Sequence, residues 1–134
     1  MSVSLSRHNR RMIERANVTS ESAYESAVGY SRAVRVGRHI AVAGTTGSGD
    51  NVTAQTRDAL RRIEAALGEV GATLRDVVRT RIFVTNITKW QEVGAVHAAA
   101  FGDIKPAATM VEVSALIDPA LYVEIEADAY VSES

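Results

Sequence analysis

The strictest pattern in the chain is the alternation of residues 121–131. Apolar side chains occupy every second position, and carboxylates and tyrosines fill the positions between them. The apolar set is Leu121, Val123, Ile125, Ala127, Ala129 and Val131, and the polar set is Tyr122, Glu124, Glu126, Asp128 and Tyr130. This period of two predicts a β-strand with one buried face, and a slip of one residue would bury the carboxylates. An all-helical fold is therefore excluded.

Other segments also alternate. Residues 77–85 place Val78, Thr80, Ile82 and Val84 on one face and Arg79, Arg81, Phe83 and Thr85 on the other. Residues 107–116 place Ala107, Thr109, Val111, Val113 and Ala115 on one face and Ala108, Met110, Glu112, Ser114 and Leu116 opposite. We expect Thr109 to face the apolar side and to be structural. Shorter strands are predicted at 11–14, 32–36 and 38–44, the last two joined by a turn at Gly37.

Two helices are predicted between these strands. Residues 52–70 carry an apolar stripe, and Gly71 supplies a stop; the stripe is Thr56, Ala59, Leu60, Ile63, Ala66, Leu67 and Val70. The second helix starts at Thr88, where Thr88 and Gln91 match a capping box, and ends before Gly102. Its predicted buried stripe is Trp90, Val93, Val96, His97, Ala100 and Phe101, with His97 as a core histidine. Residues 44–51 are rich in turn formers, so a loop is expected there that leads into the first helix.

These elements predict an α+β fold in a single domain spanning residues 1–134, with residues 1–26 forming a less defined N-terminal extension and first strand. The two helices cover one face of a mixed sheet. The other face carries Arg79 and Arg81 opposite Glu124, Glu126 and Asp128, which predicts ion pairs within or between subunits. An uncovered face of this kind favours oligomerisation, with a small-ligand cleft between subunits.

Composition narrows the function. The chain contains no cysteine, which excludes thiol nucleophiles and cysteine-ligated metals. A net charge of -1 and an aromatic share of 5% argue against a nucleic-acid binder. Same-face residues of a strand stand ~7 Å apart, too far for Glu124, Glu126 and Asp128 to share one metal ion, so no metal is expected. We found no signal peptide and no apolar run of membrane-spanning length, and expect a cytoplasmic protein.

Several short motifs occur in a specific order. They are Gly29-Tyr-Ser-Arg-Ala-Val34, Ile40-Ala-Val-Ala-Gly44, Gly71-Ala-Thr-Leu-Arg-Asp-Val-Val78, Pro106-Ala107 followed by Val111-Glu-Val113, and Val123-Glu-Ile-Glu-Ala127. Each is weak alone, but together, from about Tyr30 to the C-terminus, they resemble the Rid family (RidA/YjgF, reactive intermediate deaminases, also called endoribonuclease L-PSP).

The resemblance implies a chorismate-mutase-like α+β fold and a homotrimer that buries the uncovered sheet faces, with three ligand clefts between subunits. Active family members hydrolyse reactive enamines and imines, such as 2-aminoacrylate, to a keto acid and ammonia without cofactor or metal. The implied ligand is therefore a small imine, enamine, carbonyl or carboxylate metabolite, and neither nucleic acid nor membrane is an expected partner. Some members are described as endoribonucleases or translation inhibitors.

The family's site residues carry over in part. The family tyrosine matches Tyr30, and the glutamate that positions the attacking water matches Glu124. The arginine that holds the substrate carboxylate is replaced by Ala108, and the serine before the strand-end Gly44 is replaced by Ala43. The chain is thus similar to an arginine-lacking branch of the family.

Glu124 is the predicted catalytic residue, with an ion-paired strand position as the alternative. The predicted substrate-binding set is Tyr30, Arg81, Ala43, Gly44 and Ala108. Within it, Arg81 is the candidate to replace the missing arginine, and an ion pair with Glu124 or Glu126 is its alternative role.

Three functions remain open from the sequence. Retained Glu124 favours an enamine or imine deaminase, and Ala108 favours a non-catalytic ligand-binding or regulatory trimer. Endoribonuclease or translation-inhibitor activity is the least favoured, because the acidic charge balance disfavours RNA binding.

Overall fold

The chain forms a seven-stranded sheet with helices on one face in the computed structural model, which describes residues 2–4 and 14–132. The strands are β1 (Ser2–Ser4), β2 (Arg15–Val18), β3 (Ala33–Val36), β4 (His39–Thr45), β5 (Val77–Val84), β6 (Ala107–Glu112) and β7 (Val123–Tyr130). The helices are α1 (Ala23–Val28), α2 (Val52–Glu69) and α3 (Trp90–Phe101), with short 3₁₀ turns at Leu74–Asp76 and Ile87–Lys89.

The strand order is β1-β2-β3-β4-β7-β5-β6. Neighbouring strands are antiparallel except β5 and β6, which are parallel and are joined through α3. Helix α2 packs against β4, β7 and α3, so the core lies between the helices and the centre of the sheet. The predicted α+β class with a mixed sheet is confirmed, and the strand that alternates most strictly, β7, occupies the sheet interior.

Helix α2 has the predicted buried stripe. Its N-terminus is capped by the side chain of Asn51, which accepts a hydrogen bond from the Ala54 N–H at 2.8 Å. Gly71 follows the helix with φ of 84°, a left-handed conformation that favours glycine. Arg35 of β3 donates to the Val70 carbonyl at 2.6 Å, which satisfies one of the orphan acceptors at this end.

Ile63 lies at the centre of this stripe and is fully buried. We expect Ile63→Ala to lower the free energy of unfolding by about 2–5 kcal/mol, because it leaves a cavity under the helix. Glu64→Ala, on the exposed side of the same turn, should change it by less than about 0.5 kcal/mol. Urea unfolding at one fixed protein concentration measures both, and equal effects would contradict the assignment of the buried face.

The predicted inward face of residues 77–85 is wrong at its first position. Val77 is buried, whereas Val78 is 46% exposed. The register between β5 and β7 shifts between Val77 and Arg79, and this irregularity interrupts the alternation. Beyond it, Thr80, Ile82 and Val84 are buried as predicted.

The start of the second predicted helix is also corrected. Asn86 caps the 3₁₀ turn Ile87–Lys89, since its side chain accepts from the Thr88 N–H at 3.0 Å, and the N-cap of the following helix is Lys89, which makes no side-chain cap bond. The Thr88 hydroxyl donates to the same Asn86 oxygen at 2.7 Å, so no capping box with Gln91 forms. Helix α3 therefore begins at Trp90, whose side chain is 53% exposed instead of buried.

The edge strand β6 ends at Glu112, four residues earlier than predicted. Its residue Thr109 pairs with Arg81 of β5, and paired residues of neighbouring strands share a face. Thr109 thus lies on the uncovered face, and the expectation that it faces the apolar side is wrong. Met110 pairs with Ile82 and packs on the core instead.

The predicted strand at 11–14 lies largely outside the described residues. The first described strand of that region is β2, which begins at Arg15. The predicted strands at 32–36 and 38–44 correspond to β3 and β4, joined at Gly37 as expected.

The turn-rich segment after β4 is fastened to α2. The buried Asp58 side chain accepts from the Ser48 N–H at 2.8 Å, and Arg62 donates to the Ser48 hydroxyl at 2.9 Å. Gln55 donates to the carbonyls of Gly49 and Ala120, which ties this segment to the loop before β7.

Candidate functional site

A groove of about 1250 Å³ opens where the end of β4 meets the start of β7. Its floor is formed by the two strands, and its walls are α1 with its flanking loops, the last turns of α2 and the loop before β7. Four of the six predicted site residues line it, namely Tyr30, Ala43, Gly44 and Glu124. We call it the Glu124 groove.

A β-bulge shapes the floor of the groove. Val42 pairs with Ala127 and Thr45 pairs with Ile125, so Ala43 and Gly44 together oppose the single residue Glu126. The bulge brings the Gly44 backbone against the Glu124 side chain. A Cβ atom at position 44 would lie 2.9 Å from the Glu124 Cδ and closer still to a carboxylate oxygen, so only glycine leaves room for this carboxylate.

Glu124 is electrostatically perturbed. Its half-buried position raises the pKa of the carboxyl by desolvation, and the negative charge of Glu126 raises it further. The positive charge of Arg32 opposes both effects. A carboxylate of raised pKa is a stronger base than an ordinary glutamate, which suits the removal of a proton from water.

Arg32 is the residue of this site that sequence reasoning missed. Its guanidinium donates to the Gly44 carbonyl at 2.8 Å and to the Thr45 hydroxyl at 3.4 Å. Its Cζ atom lies 5.8 Å from the centre of the Tyr30 ring. The predicted hairpin could have identified Arg32. The turn at Gly37 sets a register that continues to a backbone hydrogen bond from the Ala43 N–H to the Arg32 carbonyl, so Arg32 lies beside the predicted site residues Ala43 and Gly44.

Tyr30 separates the groove from a second cavity of about 490 Å³ on the uncovered face of the sheet. Ala43 and Glu126 also line both spaces. The second cavity is bordered by Arg15 and Asp128, so charged side chains continue from the groove across the open face.

Two predicted site residues lie outside the groove within one chain. Arg81 forms ion pairs with Asp128 at 3.1 Å and Glu126 at 3.6 Å, which is the alternative role considered for it. Ala108 pairs with Thr80 on the edge strand β6, and two strand spacings separate β6 from β7. The structure therefore brings Tyr30, Ala43, Gly44 and Glu124 together, but not Arg81 or Ala108.

His97 occupies a packing position on α3. Its Nε2 atom is hydrogen-bonded to the Thr80 hydroxyl at 2.9 Å, and its ring packs on Phe101 with centroids 4.6 Å apart. Burial lowers the pKa of this histidine. These contacts match the predicted core histidine.

In residues 2–4 and 14–132 no group of three or more His, Asp or Glu residues is arranged to hold a metal ion. Across the same residues, none of the helices is long and apolar enough to cross a membrane.

The chain is similar in sequence to a known protein family. Residues 20–131 match the sequence model of the family described as Endoribonuclease L-PSP. A RutC family protein of Pyrococcus abyssi is 38% identical over 75% of this chain and 85% of its own length.

Two solved structures are also similar. Rv2704 of Mycobacterium tuberculosis, a member of the YjgF/YER057c/UK114 family, is 71% identical with a TM-score of 0.86, covering 87% of this chain and 99% of that one. A Rid family protein of Yersinia pestis is 31% identical with a TM-score of 0.76, covering 87% of this chain and 99% of that one.

Proposed function

Because the chain belongs to the endoribonuclease L-PSP family, the same YjgF and Rid group that its motifs resemble, we propose that it hydrolyses a small imine in the Glu124 groove. The products are a carbonyl compound and ammonia. An enamine enters the same reaction after tautomerising to its imine. The observation that carries the proposal is the Glu124 carboxylate, which is held against Gly44 with a raised pKa inside a groove large enough for a metabolite.

In the proposed reaction Glu124 takes a proton from a water molecule as the water oxygen attacks the imine carbon. The C=N double bond becomes a single bond, and its electron pair moves to nitrogen. Glu124 then returns the proton to that nitrogen, which gives a carbinolamine. The proton of its new hydroxyl passes through Glu124 to the same nitrogen, the C–N bond breaks with its electron pair leaving on nitrogen, and ammonia leaves as the carbonyl forms. The overall change is addition of one water and release of one ammonia, so no oxidant or reductant is needed.

We further propose that the working form is a homotrimer. The sheet face opposite α2 and α3 carries Arg79 and Arg81 beside Glu126 and Asp128, and exposed Tyr130 lies on the same face. Mixed charges with partly apolar neighbours suit contact with further copies of the chain, and the number three is the one that the family resemblance implies. The Glu124 groove adjoins this face through Tyr30, so a second subunit would narrow its opening.

The specific alternative is a trimer that binds a metabolite without turning it over. The observation that favours it is Ala108, which stands where the resemblance expects the substrate-binding arginine. A ligand-binding protein would retain the groove and would not need Glu124 as a base.

The deciding experiment measures imine hydrolysis directly. An amino-acid oxidase generates a panel of imino acids, semicarbazide traps the imine that survives, and the purified protein competes with the trap. We expect the protein to lower the trapped signal for at least one imine in proportion to its concentration. An unchanged signal across the panel would reject hydrolysis and leave the binding trimer.

A further inference from the structure

Arg32 stands apart from the other arginines of the site. Arg62, which also lines the Glu124 groove, forms an ion pair with Asp58 at 2.9 Å. Arg81 is paired with Asp128 and Glu126. Arg32 forms no ion pair with any carboxylate of residues 14–132, although it is partly buried. Its positive charge is therefore not neutralised by a carboxylate at contact distance within the described chain.

The hydrogen bonds of Arg32 leave donors unused. The guanidinium has five N–H groups, and only two bonds are made, to the Gly44 carbonyl and the Thr45 hydroxyl. The Nε atom is buried and has no partner among the described residues. These two bonds hold the guanidinium at the floor of the groove, where a fixed fork of donors recognises a planar carboxylate well.

The outer wall of the groove is apolar. Val28 is 70% exposed and Ile117 is 64% exposed, and both line the groove together with Tyr24. Apolar side chains this exposed at a groove mouth gain from contact with an apolar ligand group. The groove thus combines the Arg32 guanidinium, which lies beside the Glu124 and Glu126 carboxylates, with an apolar rim.

Resting on the proposed use of this groove, we propose that Arg32 binds the carboxylate of the ligand and takes the place of the anchor that Ala108 lacks. The rim residues then receive an apolar side chain. The groove selects imino acids and 2-oxo acids with an apolar side chain over uncharged imines and ketones of the same shape. Arg32 also offsets the negative charges of Glu124 and Glu126, which would otherwise repel a carboxylate.

A matched ligand pair tests this assignment. 4-Methyl-2-oxopentanoate and 4-methylpentan-2-one share the branched chain and the carbonyl, and differ in a carboxylate against a methyl group. Titration calorimetry on the intact oligomer should give tighter binding of the acid to the wild type. Arg32→Gln should weaken acid binding by about 10- to 100-fold and leave ketone binding unchanged. Arg32→Lys keeps the charge without the fork, so its affinity for the acid should lie between those of the wild type and Arg32→Gln.

Arg57→Gln is the matched control, because Arg57 is exposed on α2 and lies outside the groove. It should bind both ligands as the wild type does. Wild-type acid binding in Arg32→Gln, or an equal loss for acid and ketone, would overturn the assignment. So would a wild type that binds the acid no better than the ketone. If Arg32→Gln does not fold, acid binding by Arg32→Lys that is weaker than in the wild type, with ketone binding unchanged, supports the carboxylate fork, and wild-type affinity for the acid overturns it.

The binding readout is independent of turnover. A protein that binds the acid through Arg32 but clears no imine would refute the proposed hydrolysis and keep the anion site. A protein that clears imines while Arg81→Gln, and not Arg32→Gln, loses acid binding would keep the hydrolysis and move the anchor to Arg81.

Discussion

Replacing Glu124 by glutamine is expected to lower imine hydrolysis by about 10²- to 10⁴-fold, because the amide cannot take a proton from water. Glutamine keeps the size of the side chain, so its fit against Gly44 is retained. Ligand affinity and the mass of the proposed trimer should therefore stay close to wild type. The semicarbazide competition assay measures the rate, calorimetry measures the ligand affinity, and light scattering measures the mass. A variant that hydrolyses imines at the wild-type rate would remove Glu124 from the mechanism.

The pH dependence gives an independent check on the same residue. The ionised form of Glu124 is the base, so kcat/KM should fall as the pH drops through the pKa of this carboxyl. Because burial and Glu126 raise that pKa, the fall should begin at higher pH than for an ordinary glutamate. Glu126→Gln removes a neighbouring negative charge and should move the acid limb to lower pH. Arg32→Gln removes a positive charge and should move it to higher pH. Shifts of the same sign in both variants would contradict this electrostatic arrangement.

Gly44→Ala is expected to lower hydrolysis by about 10²-fold while leaving the fold intact. The added methyl group would occupy the space of the Glu124 carboxylate and displace it, and small misplacements of a reacting group carry penalties of this size. Gly44 does not adopt a positive φ, so the backbone accepts alanine, and stability should change by less than about 1 kcal/mol. Imine hydrolysis and thermal unfolding of the same samples measure the two effects.

Gly47→Ala is the contrasting variant. A Cβ atom there would lie 2.7 Å from the Ala59 backbone nitrogen and closer to the Gln55 carbonyl, so α2 itself would have to move. Gly47→Ala should lower the free energy of unfolding by about 1–3 kcal/mol.

The double variant Gly44→Ala with Glu124→Gln should be no slower than Glu124→Gln alone, because both changes act on one carboxylate. Additive losses would show that Gly44 acts elsewhere.

The elements with the strongest periodicity were predictable. Residues 123–130 alternate without exception, and each apolar member from Val123 to Ala129 is buried in β7. The stripe of α2 repeats at three and four residues over about four turns, which no strand can imitate. In both cases one simple period describes the apolar side chains, and every predicted member from Thr56 to Val70 is buried. Gln55 and Asp58 are buried as well, because they are hydrogen-bonded to the neighbouring loops, which the period does not predict.

The errors occurred where a local interaction interrupts a period. Val78 was assigned to the core because alternation was assumed to continue through a register shift. Trp90 was assigned to a helix stripe because the Asn86 cap, which starts the turn earlier, was not recognised. The register shift depends on pairing with β7, which is distant along the chain, whereas the Asn86 cap is a bond between residues two positions apart. A simple period describes neither interaction.

The sequence predicted only those residues of the candidate site that match the motifs of the family. Tyr30, Gly44 and Glu124 were recovered from a family resemblance, and the structure brings them to one groove. Arg32 lay inside a quoted motif but was not singled out, because its role depends on the carbonyl of Gly44, twelve residues away across a hairpin. For Arg81 the sequence predicts either a substrate anchor or an ion pair with Glu124 or Glu126, and the strand pairing places it on Glu126 and Asp128.

The bulge in β4 changes which residues of the strand face the helices. Up to Val42 the residues that face the helices have even numbers, and from Thr45 onward they have odd numbers. Deleting one residue between them would restore uninterrupted pairing with β7, yet it would take the Gly44 backbone away from Glu124. Better sheet pairing and a working groove are therefore opposed at this point, so variants selected for thermal stability alone would favour loss of the site.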